Sequence, residues 1–193
     1  MGKVILDITM SLDCFIAGPN DDVERLHEWI FRDALTRPVV RGGTTYGSNE
    51  VLEESFKTTG AVVMGRRTFD IGEGSWGDNP PFQVPCFVLS HDAREEAAKG
   101  ATTFTFVTNG IESALTQAKA AAGDKHVGVM GANTAQQCIK AGLLDEIHIH
   151  LVPVLLGEGI RLFDHLGTEH IELESTRVIE SPGVTHLRFR VVK

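Results

Sequence analysis

The chain has 193 residues, of which 42% are hydrophobic and 23% charged, and its formal net charge at pH 7 is −8. This composition is typical of a soluble globular domain, and the negative charge argues against broad binding to nucleic acid or to an anionic membrane. Cys14, Cys86 and Cys138 lie far apart without a CxxC pair, which is not the pattern of a disulfide framework or a zinc site. The sequence has no signal-peptide pattern and no apolar run of membrane-spanning length, so we expect a soluble, cytoplasmic protein.

In chain order, short apolar runs alternate with amphipathic segments. This alternation predicts an α/β fold with a central, mostly parallel mixed sheet flanked by helices, and the turn at residues 181–183 predicts an antiparallel C-terminal hairpin. We expect a single domain over residues 1–193. Predicted strands cover residues 4–10, 61–64, 85–90, 102–107, 126–130, 145–156, 171–179 and 185–192; predicted helices cover 23–34, 48–56, 111–122 and 135–141; predicted loops cover 36–47, a candidate lid, and 71–85.

Residues 61–70 are the most informative stretch of the chain. Four apolar residues predict a buried strand, and Gly65 then allows a tight turn. Arg66, Arg67 and Thr68 open a predicted helix, whose first turn has free backbone N–H groups. Two guanidinium groups beside such a helix start favour an anion with more than one negative charge. The turn is therefore a candidate site for a dinucleotide phosphate; the alternative is a strand-to-helix corner with its arginines in solvent.

Two further strand ends carry groups of a similar kind. Because ligands in open α/β sheets gather at the carboxyl ends of strands, the three ends together predict a nucleotide site, and a guanidinium near a ribose 2′-phosphate favours NADPH over NADH. Each turn alone also fits an ordinary strand-to-helix connection, and none of the three turns has the GxGxxG fingerprint. The residues at the two further ends are Leu89, Ser90 and His91, and Gly131, Ala132, Asn133 and Thr134.

Isolated histidines and acids are weaker candidates. His148 and His150 fall on one face of a predicted strand, which allows a two-ligand metal site, but cross-strand packing is favoured and we expect no metal. Asp13 follows the first strand and either orients a polar ring or caps the turn. Asp7, on the first strand, needs a partner or faces a cleft. The Gly-x-Ser-x-Gly elbow of hydrolases is absent from the sequence, which disfavours that class of enzyme.

With these residues assembled, the chain resembles the reductase domain of the bacterial bifunctional deaminase–reductase of riboflavin synthesis, and most closely its stand-alone, dihydrofolate reductase-like members. The likeness covers nearly the whole chain. It rests on residues 10–13 (Met-Ser-Leu-Asp), 63–68 (Val-Met-Gly-Arg-Arg-Thr), 87–90 (Phe-Val-Leu-Ser), 131–134 (Gly-Ala-Asn-Thr) and 142–148 (Gly-Leu-Leu-Asp-Glu-Ile-His).

The resemblance implies the dihydrofolate reductase fold, NADPH as cofactor, a small-molecule substrate and a homodimer. It assigns residues 66–68 to the NADPH phosphates, residues 89–91 to the adenosine end and residues 131–134 to the pyrophosphate. Residues 8–16, with Asp13 among them, would flank the nicotinamide and the substrate. Glu50, or its neighbour Asn49, takes the place of the carboxylate with which dihydrofolate reductases help to protonate a pterin.

The function implied is an NADPH-dependent oxidoreductase that transfers hydride to a C=N or carbonyl group of a small heterocyclic or sugar-linked substrate, similar to 5-amino-6-(5-phosphoribosylamino)uracil reductase of riboflavin biosynthesis. The alternatives are dihydrofolate reductase-like activity on a pterin and a non-catalytic nucleotide-binding protein of the same fold. The chain departs from the usual pattern where Asp7 replaces a lysine, Cys14 a glycine and Val129 a glutamate. An acid in place of a substrate-facing cation reverses the preference for a phosphorylated ligand.

Overall fold

The computed structural model of the protein describes residues 2–32, 34, 39–41, 44–47 and 49–193. It has the predicted α/β architecture, a large mixed sheet flanked by helices. None of the described helices is both long enough and apolar enough to cross a membrane. The strands are β1 (Val4–Ser11), β2 (Phe15–Ala17), β3 (Val39–Arg41), β4 (Thr44–Tyr46), β5 (Thr59–Gly65), β6 (Cys86–Leu89), β7 (Ala97–Lys99), β8 (Thr102–Val107), β9 (His126–Met130), β10 (Glu146–Val152), β11 (Ile160–Arg161), β12 (Leu173–Ser181) and β13 (Val184–Val191). The helices are α1 (Glu24–Phe31), α2 (Glu50–Thr58), α3 (Arg66–Trp76), α4 (Ile111–Ala122) and α5 (Ala132–Lys140), and a 3-10 turn covers Pro19–Asp21.

The large sheet has the strand order β12-β13-β10-β1-β9-β5-β6-β8-β7 in the described residues. The strands from β10 to β8 in this order run parallel. At one edge β13 pairs antiparallel with β10, and β12 pairs antiparallel with β13; at the other edge β7 pairs antiparallel with β8. Only Pro182 and Gly183 separate β12 from β13, so the predicted C-terminal hairpin is confirmed. Because the central strands share one direction, their carboxyl ends meet at the same edge of the sheet.

The two faces of the sheet differ in character. Leu6 on β1 and Ile149 on β10 belong to the main core, which packs against α4 and α5. Asp7 and His150 alternate with them and lie on the opposite face, as the period of two in a strand requires. That face is covered by α1 and α2, where Trp29 belongs to a smaller apolar cluster. Polar groups of the central strands therefore lie beneath α1 and α2.

One predicted loop is wrong over its first part. Residues 71–85 are predicted to form a loop, but α3 continues through Ile71 to Trp76. Gly72 and Gly74 each disfavour a helix by about 1 kcal/mol relative to alanine. However, Trp76 stacks on Phe104 with ring centroids 6.0 Å apart, and a Cβ on Gly72 would lie 2.1 Å from the Trp76 ring. Glycine thus leaves space for the packing that stabilises this helix.

Other segments also differ from the predicted boundaries. The candidate lid at residues 36–47 contains the antiparallel pair β3–β4 in place of a loop, and residues 36–38 and 42–43 lie outside the described residues, as does Ser48 of the predicted helix start. The strands β2, β7 and β11 have only two or three residues each, too few for a periodic signal. Helix α5 begins at Ala132, ahead of the predicted residue 135, so its first turn directly follows Gly131.

Candidate functional site

A cleft of about 1210 Å³ lies along the carboxyl edge of the central strands. The strands β9, β5 and β6 are neighbours, so the three turns singled out in the sequence stand side by side. The structure thus brings them into one concavity, and their role in binding a cofactor stays a prediction. The cleft is lined by all the residues proposed from the sequence for the cofactor: Gly65, Arg66, Arg67, Thr68, Leu89, Ser90, His91, Gly131, Ala132, Asn133 and Thr134.

The turns after β5 and β9 interlock. A Cβ on Gly131, whose φ is 91°, would lie 2.5 Å from Oγ1 of Thr68, and a Cβ on Gly65 would lie 3.1 Å from Oγ1 of Thr134. Each threonine therefore occupies the space left by the glycine of the other turn. The Thr134 hydroxyl is buried and has no hydrogen-bond partner among the described residues. Two helix N-termini and an unpartnered hydroxyl at adjacent strand ends fit an anionic group.

The two arginines at the start of α3 are engaged in exposed ion pairs. Nε of Arg66 lies 2.7 Å from Oδ1 of Asp70, one turn further along the same helix. Nη2 of Arg67 lies 2.6 Å from Oδ1 of Asp21, which belongs to the 3-10 turn after β2. Exposed pairs of this kind contribute at most about 1 kcal/mol to stability. A phosphate dianion can therefore compete with either carboxylate for its guanidinium.

The turn after β6 forms a third wall of the same end of the cleft. The Ser90 hydroxyl donates a hydrogen bond to the Asp92 carbonyl at 2.8 Å and accepts one from the Asp92 N–H at 3.1 Å. These bonds close the turn, and His91 is exposed beside it. Thr108 and Gly110, after β8, also line the cleft and were not singled out in the sequence.

The opposite end of the cleft contains a carboxylate and several histidines. Oδ1 of Asp7 lies 2.7 Å from Nε2 of His150, and Oδ2 accepts a hydrogen bond from the Ser55 hydroxyl at 3.0 Å. His27 and Trp29, both on α1, line the cleft beside them. Sequence reasoning singled out Asp7 and His150 separately but missed this arrangement, because it depends on strand register and on the docking of α1 and α2.

The electrostatics of this end lower the pKa of its carboxyl group and of two nearby histidines. Burial raises the pKa of Asp7, but the attraction and hydrogen bond of His150, with the bond from Ser55, outweigh it and lower the pKa to about 2. Burial, followed by repulsion from His150, lowers the pKa of His186 to about 4. The same two causes lower the pKa of His27. At neutral pH Asp7 is therefore a carboxylate, and His186 and His27 are neutral imidazoles.

The two acids proposed from the sequence as catalytic do not line the cleft. Asp13 accepts hydrogen bonds from the Ser11 hydroxyl at 2.6 Å and from the backbone N–H groups of Leu156 at 3.1 Å and Gly157 at 2.8 Å. The Ser11 bond is the main cause that lowers the pKa of Asp13 to about 2. Glu50 is exposed in the first turn of α2. Their catalytic roles stay predictions, and the geometry of Asp13 is that of a group that ties two loops together.

The two histidines considered as metal ligands occupy the same sheet face, as the sequence predicts, but have different partners. Nε2 of His148 lies 2.9 Å from Oε2 of Glu146 and faces a smaller cavity of about 300 Å³ behind Asp7. His150 contacts Asp7 and His186 instead. Within the described parts of the chain, no group of three or more acids, cysteines or histidines is arranged to hold a metal ion.

Known proteins resemble the chain over almost its full length. A putative riboflavin biosynthesis protein from Shewanella sp. PV-4 superposes with a TM-score of 0.77 at 23% identity, covering 99% of both chains. A diaminohydroxyphosphoribosylaminopyrimidine deaminase/5-amino-6-(5-phosphoribosylamino)uracil reductase from Thermotoga maritima superposes with a TM-score of 0.66 at 13% identity, covering 99% of this chain and 57% of that one. YyaP of Bacillus subtilis is 24% identical over 197 residues, covering 96% of this chain and 93% of YyaP.

The family model of the RibD C-terminal domain matches residues 2–186, which confirms the resemblance to the riboflavin-pathway reductases. Members of this family are typically reductases that use a nicotinamide nucleotide. The structural neighbours share the dihydrofolate reductase-like fold described above. The chain belongs to the RibD C-terminal domain family.

Proposed function

We propose that the protein is an NADPH-dependent reductase that acts on a small nitrogen heterocycle. The observation that carries this proposal is that the three turns after β5, β6 and β9 line one cleft. The other end of the same cleft is lined by buried polar side chains. A cofactor end with helix N-termini and a substrate end with a carboxylate are the two parts that hydride transfer between bound molecules requires.

The residues at the cofactor end have distinct roles in this proposal. Arg66 and Arg67 exchange their carboxylate partners for the 2′-phosphate, and the N-termini of α3 and α5 receive the pyrophosphate. Residues 89–91 border the adenosine. When bound, NADPH supplies the hydride; the chain binds it, aligns it and excludes water.

The polar end of the cleft receives the substrate in this proposal. The Thermotoga maritima protein is by name a reductase of a phosphoribosylamino-uracil. In this chain Asp7 stands on β1 where the riboflavin-pathway reductases usually have a lysine, so a phosphate is repelled at this point. A uracil-like or pterin-like ring without a phosphate beside Asp7 fits its charge better.

Titration with the two nicotinamide nucleotides tests the cofactor assignment. We expect NADPH, followed by its fluorescence, to bind more tightly than NADH. Arg66→Ala and Arg67→Ala should each weaken NADPH binding about tenfold or more and NADH binding little, because a charge-assisted hydrogen bond contributes roughly 1.5–3 kcal/mol. Arg94→Ala is a matched control, since Arg94 is exposed, stacks on Phe106 at 5.2 Å and does not line the cleft. Unchanged NADPH binding in the Arg66→Ala/Arg67→Ala double variant would reject the proposal.

A non-catalytic nucleotide-binding protein is the second candidate, and a specific observation favours it. Neither Asp13 nor Glu50 lines the cleft, and Asp7 and Val129 replace the lysine and the glutamate of the usual pattern. Steady oxidation of NADPH in the presence of a pyrimidine or a pterin distinguishes the two. Tight NADPH binding without turnover on either class of ring would favour the non-catalytic protein.

A further inference from the structure

A chain of hydrogen bonds runs from the start of α2 to the polar end of the cleft. Nδ2 of Asn49 lies 3.2 Å from Nε2 of His186, and Nδ1 of His186 lies 2.8 Å from Nδ1 of His150. Nε2 of His150 then lies 2.7 Å from Oδ1 of Asp7. The members come from α2, β13, β10 and β1, so the chain crosses three neighbouring strands.

The helix cap at Asn49 fixes the direction of this chain. Oδ1 of Asn49 accepts the backbone N–H of Val51 at 2.9 Å, so the side-chain NH₂ group faces His186 and donates. Nε2 of His186 must then be unprotonated, and its proton lies on Nδ1, from which it is donated to Nδ1 of His150. The proton of His150 consequently lies on Nε2 and is donated to Asp7. The hydrogen bonds thus give each ring one defined tautomer.

The Asp7 carboxylate is paired with a histidine, His150. Among the described residues, no lysine or arginine lies within ion-pair distance of Asp7. The lysine and the arginines that share the smaller cavity with it are paired elsewhere, Lys3 with Glu146 and both Arg177 and Arg188 with Glu54. The titratable and charged groups that surround the His150–His186 pair are Asp7, His27, His148 and Arg188.

The carboxylate has capacity for a ligand. The side chain of Asp7 is 26% exposed, lines the cleft and receives two hydrogen bonds, whereas two carboxylate oxygens accept about four. Trp29 also lines the cleft, with its ring 4.9 Å from that of His150. Its indole N–H is buried and has no acceptor among the described residues. A ring with an N–H donor would use the remaining acceptor capacity of the carboxylate.

We propose that Asp7 is the acceptor subsite for an N–H-bearing or cationic nitrogen group of the substrate, and that Asn49, through His186 and His150, is a positioning residue that keeps this subsite anionic. The inference deepens the proposed reductase and rests on it only in placing the substrate at this end of the cleft. Phosphate and carboxylate groups are excluded from the subsite by its charge.

The nearly isosteric substitution Asn49→Asp reverses the direction of the hydrogen-bond chain. In Asn49→Asp the new carboxylate still accepts the Val51 N–H and preserves the cap, but it presents an acceptor to Nε2 of His186. That nitrogen must then be protonated, and one ring of the His150–His186 pair gains a second proton. We expect the titration midpoint of the pair to rise by about 1–3 pH units. Asn49→Ser preserves a cap without a group that reaches His186 and is the matched control.

Imidazole ¹⁵N spectra of histidine-labelled protein report these tautomers directly. At pH 7 the wild type should show an unprotonated Nε2 on His186 and a protonated Nε2 on His150. A protonated Nε2 on His186 in the wild type would overturn the proposed direction. The proposal also fails if the pair titrates at the same pH in Asn49→Asp as in the wild type. Asn49→Asp and Asn49→Ser should have equal thermal unfolding temperatures at pH 7. Equal temperatures show that both variants keep the helix cap, so a difference in their titration comes from the reversed hydrogen bonds.

Benzamidine and benzoate, two rings of similar shape and opposite charge, probe the subsite. We expect benzamidine to bind and benzoate to bind at least tenfold more weakly. Asp7→Asn should weaken benzamidine binding about tenfold or more. Asn49→Asp should weaken benzamidine binding at pH values below the raised titration midpoint and restore it at higher pH. A purely structural defect would not show this recovery of binding with pH. Equal binding of the two probes, or no binding of benzamidine to the wild type, overturns the substrate class.

The same variants separate this inference from the proposed cofactor. Asn49 does not line the cleft that the turns at residues 65–68, 89–91 and 131–134 line, so NADPH titration of Asn49→Asp should match the wild type. Failure of NADPH to bind the wild type would reject the proposed reductase and leave the acceptor subsite standing. If NADPH binds normally but benzamidine and benzoate bind equally well, the acceptor subsite is rejected and the proposed reductase is not.

Discussion

Cys14 has a left-handed backbone conformation, with a φ of 69°, in the turn between β1 and β2. The turn is held on both sides, because the Cys14 N–H donates to the Ser11 carbonyl and the Leu162 N–H donates to the Cys14 carbonyl, each at 3.0 Å. A residue with a side chain costs roughly 1–2 kcal/mol in this conformation, and glycine costs almost nothing. The glycine that riboflavin-pathway reductases usually have here is therefore the residue that the backbone favours.

Substitution of Cys14 tests this strain. We expect Cys14→Gly to be more stable than Cys14→Ala by about 1 kcal/mol in urea unfolding, because both variants lose the thiol and only the glycine relieves the backbone. The comparison of the two variants cancels the lost contacts of the sulfur with the core. An alanine variant as stable as the glycine variant would mean that the turn relaxes at no cost.

At the scale of single residues, the sequence predicted one end of the cleft better than the other. Gly65, Arg66 and Thr68 are neighbours in the chain, so their chemistry can be recognised locally. Asp7 and His186, by contrast, meet only through the pairing of β1 with β10 and of β10 with β13. Strand periodicity gives the face on which a side chain lies but not the register that sets its partner.

At the scale of elements, the interlocked turns after β5 and β9 make a prediction about cofactor binding. Gly131→Ala would place a Cβ 2.5 Å from Oγ1 of Thr68 at a φ of 91°, which displaces the start of α3 as well as that of α5. We expect NADPH affinity to fall at least tenfold, since both helix starts must converge on the phosphates. Nucleotide titration of the folded variant measures the loss.

Gly142→Ala is the matched control for this variant. Gly142 follows α5 with a φ of 64°, and no atom lies within 4 Å of its added Cβ. It should have a backbone cost of about 1–2 kcal/mol without moving either turn, so NADPH affinity should stay unchanged. A similar loss of affinity in both variants would show that general destabilisation is responsible.

The pattern of apolar residues predicted most elements and failed where tertiary contacts decide. The central strands and α4 follow from local periodicity, and the two-residue turn at Pro182 and Gly183 gave the hairpin. The extension of α3 through Gly72 depends on Trp76 packing against Phe104, which lies on a distant strand. Propensity alone assigns such a glycine-containing segment to a loop.

At the scale of the whole molecule, the buried histidines make stability depend on pH. Burial lowers the pKa of His186 to about 4 and also lowers that of His148 and His27. The unfolded chain therefore binds more protons than the folded chain between pH 6.5 and about 4, so stability is complete above this window and is lost as pH falls through it. We expect His186 alone to account for a loss on the order of 3 kcal/mol in the free energy of unfolding, measured by urea titration at several pH values.

His186→Gln supplies the control, because its side chain does not titrate. The variant should show a smaller dependence of unfolding free energy on pH between 4 and 6.5, with the remaining slope due to the other histidines. A wild-type unfolding free energy that is flat across this window would contradict the assignment. Below pH 4, protonation of Asp7, whose pKa is about 2, should destabilise the protein further.

The order in which the cleft residues occur in the sequence has a consequence for how the cleft forms during synthesis of the protein. The three turns proposed to bind the coenzyme lie between residues 65 and 134, whereas the proposed acceptor end requires His150 and then His186 from the C-terminal hairpin. A nascent chain that has not yet docked this hairpin already contains all three turns, but Asp7 lacks the support of His186. Competence for coenzyme should thus precede competence for substrate as the polypeptide is completed.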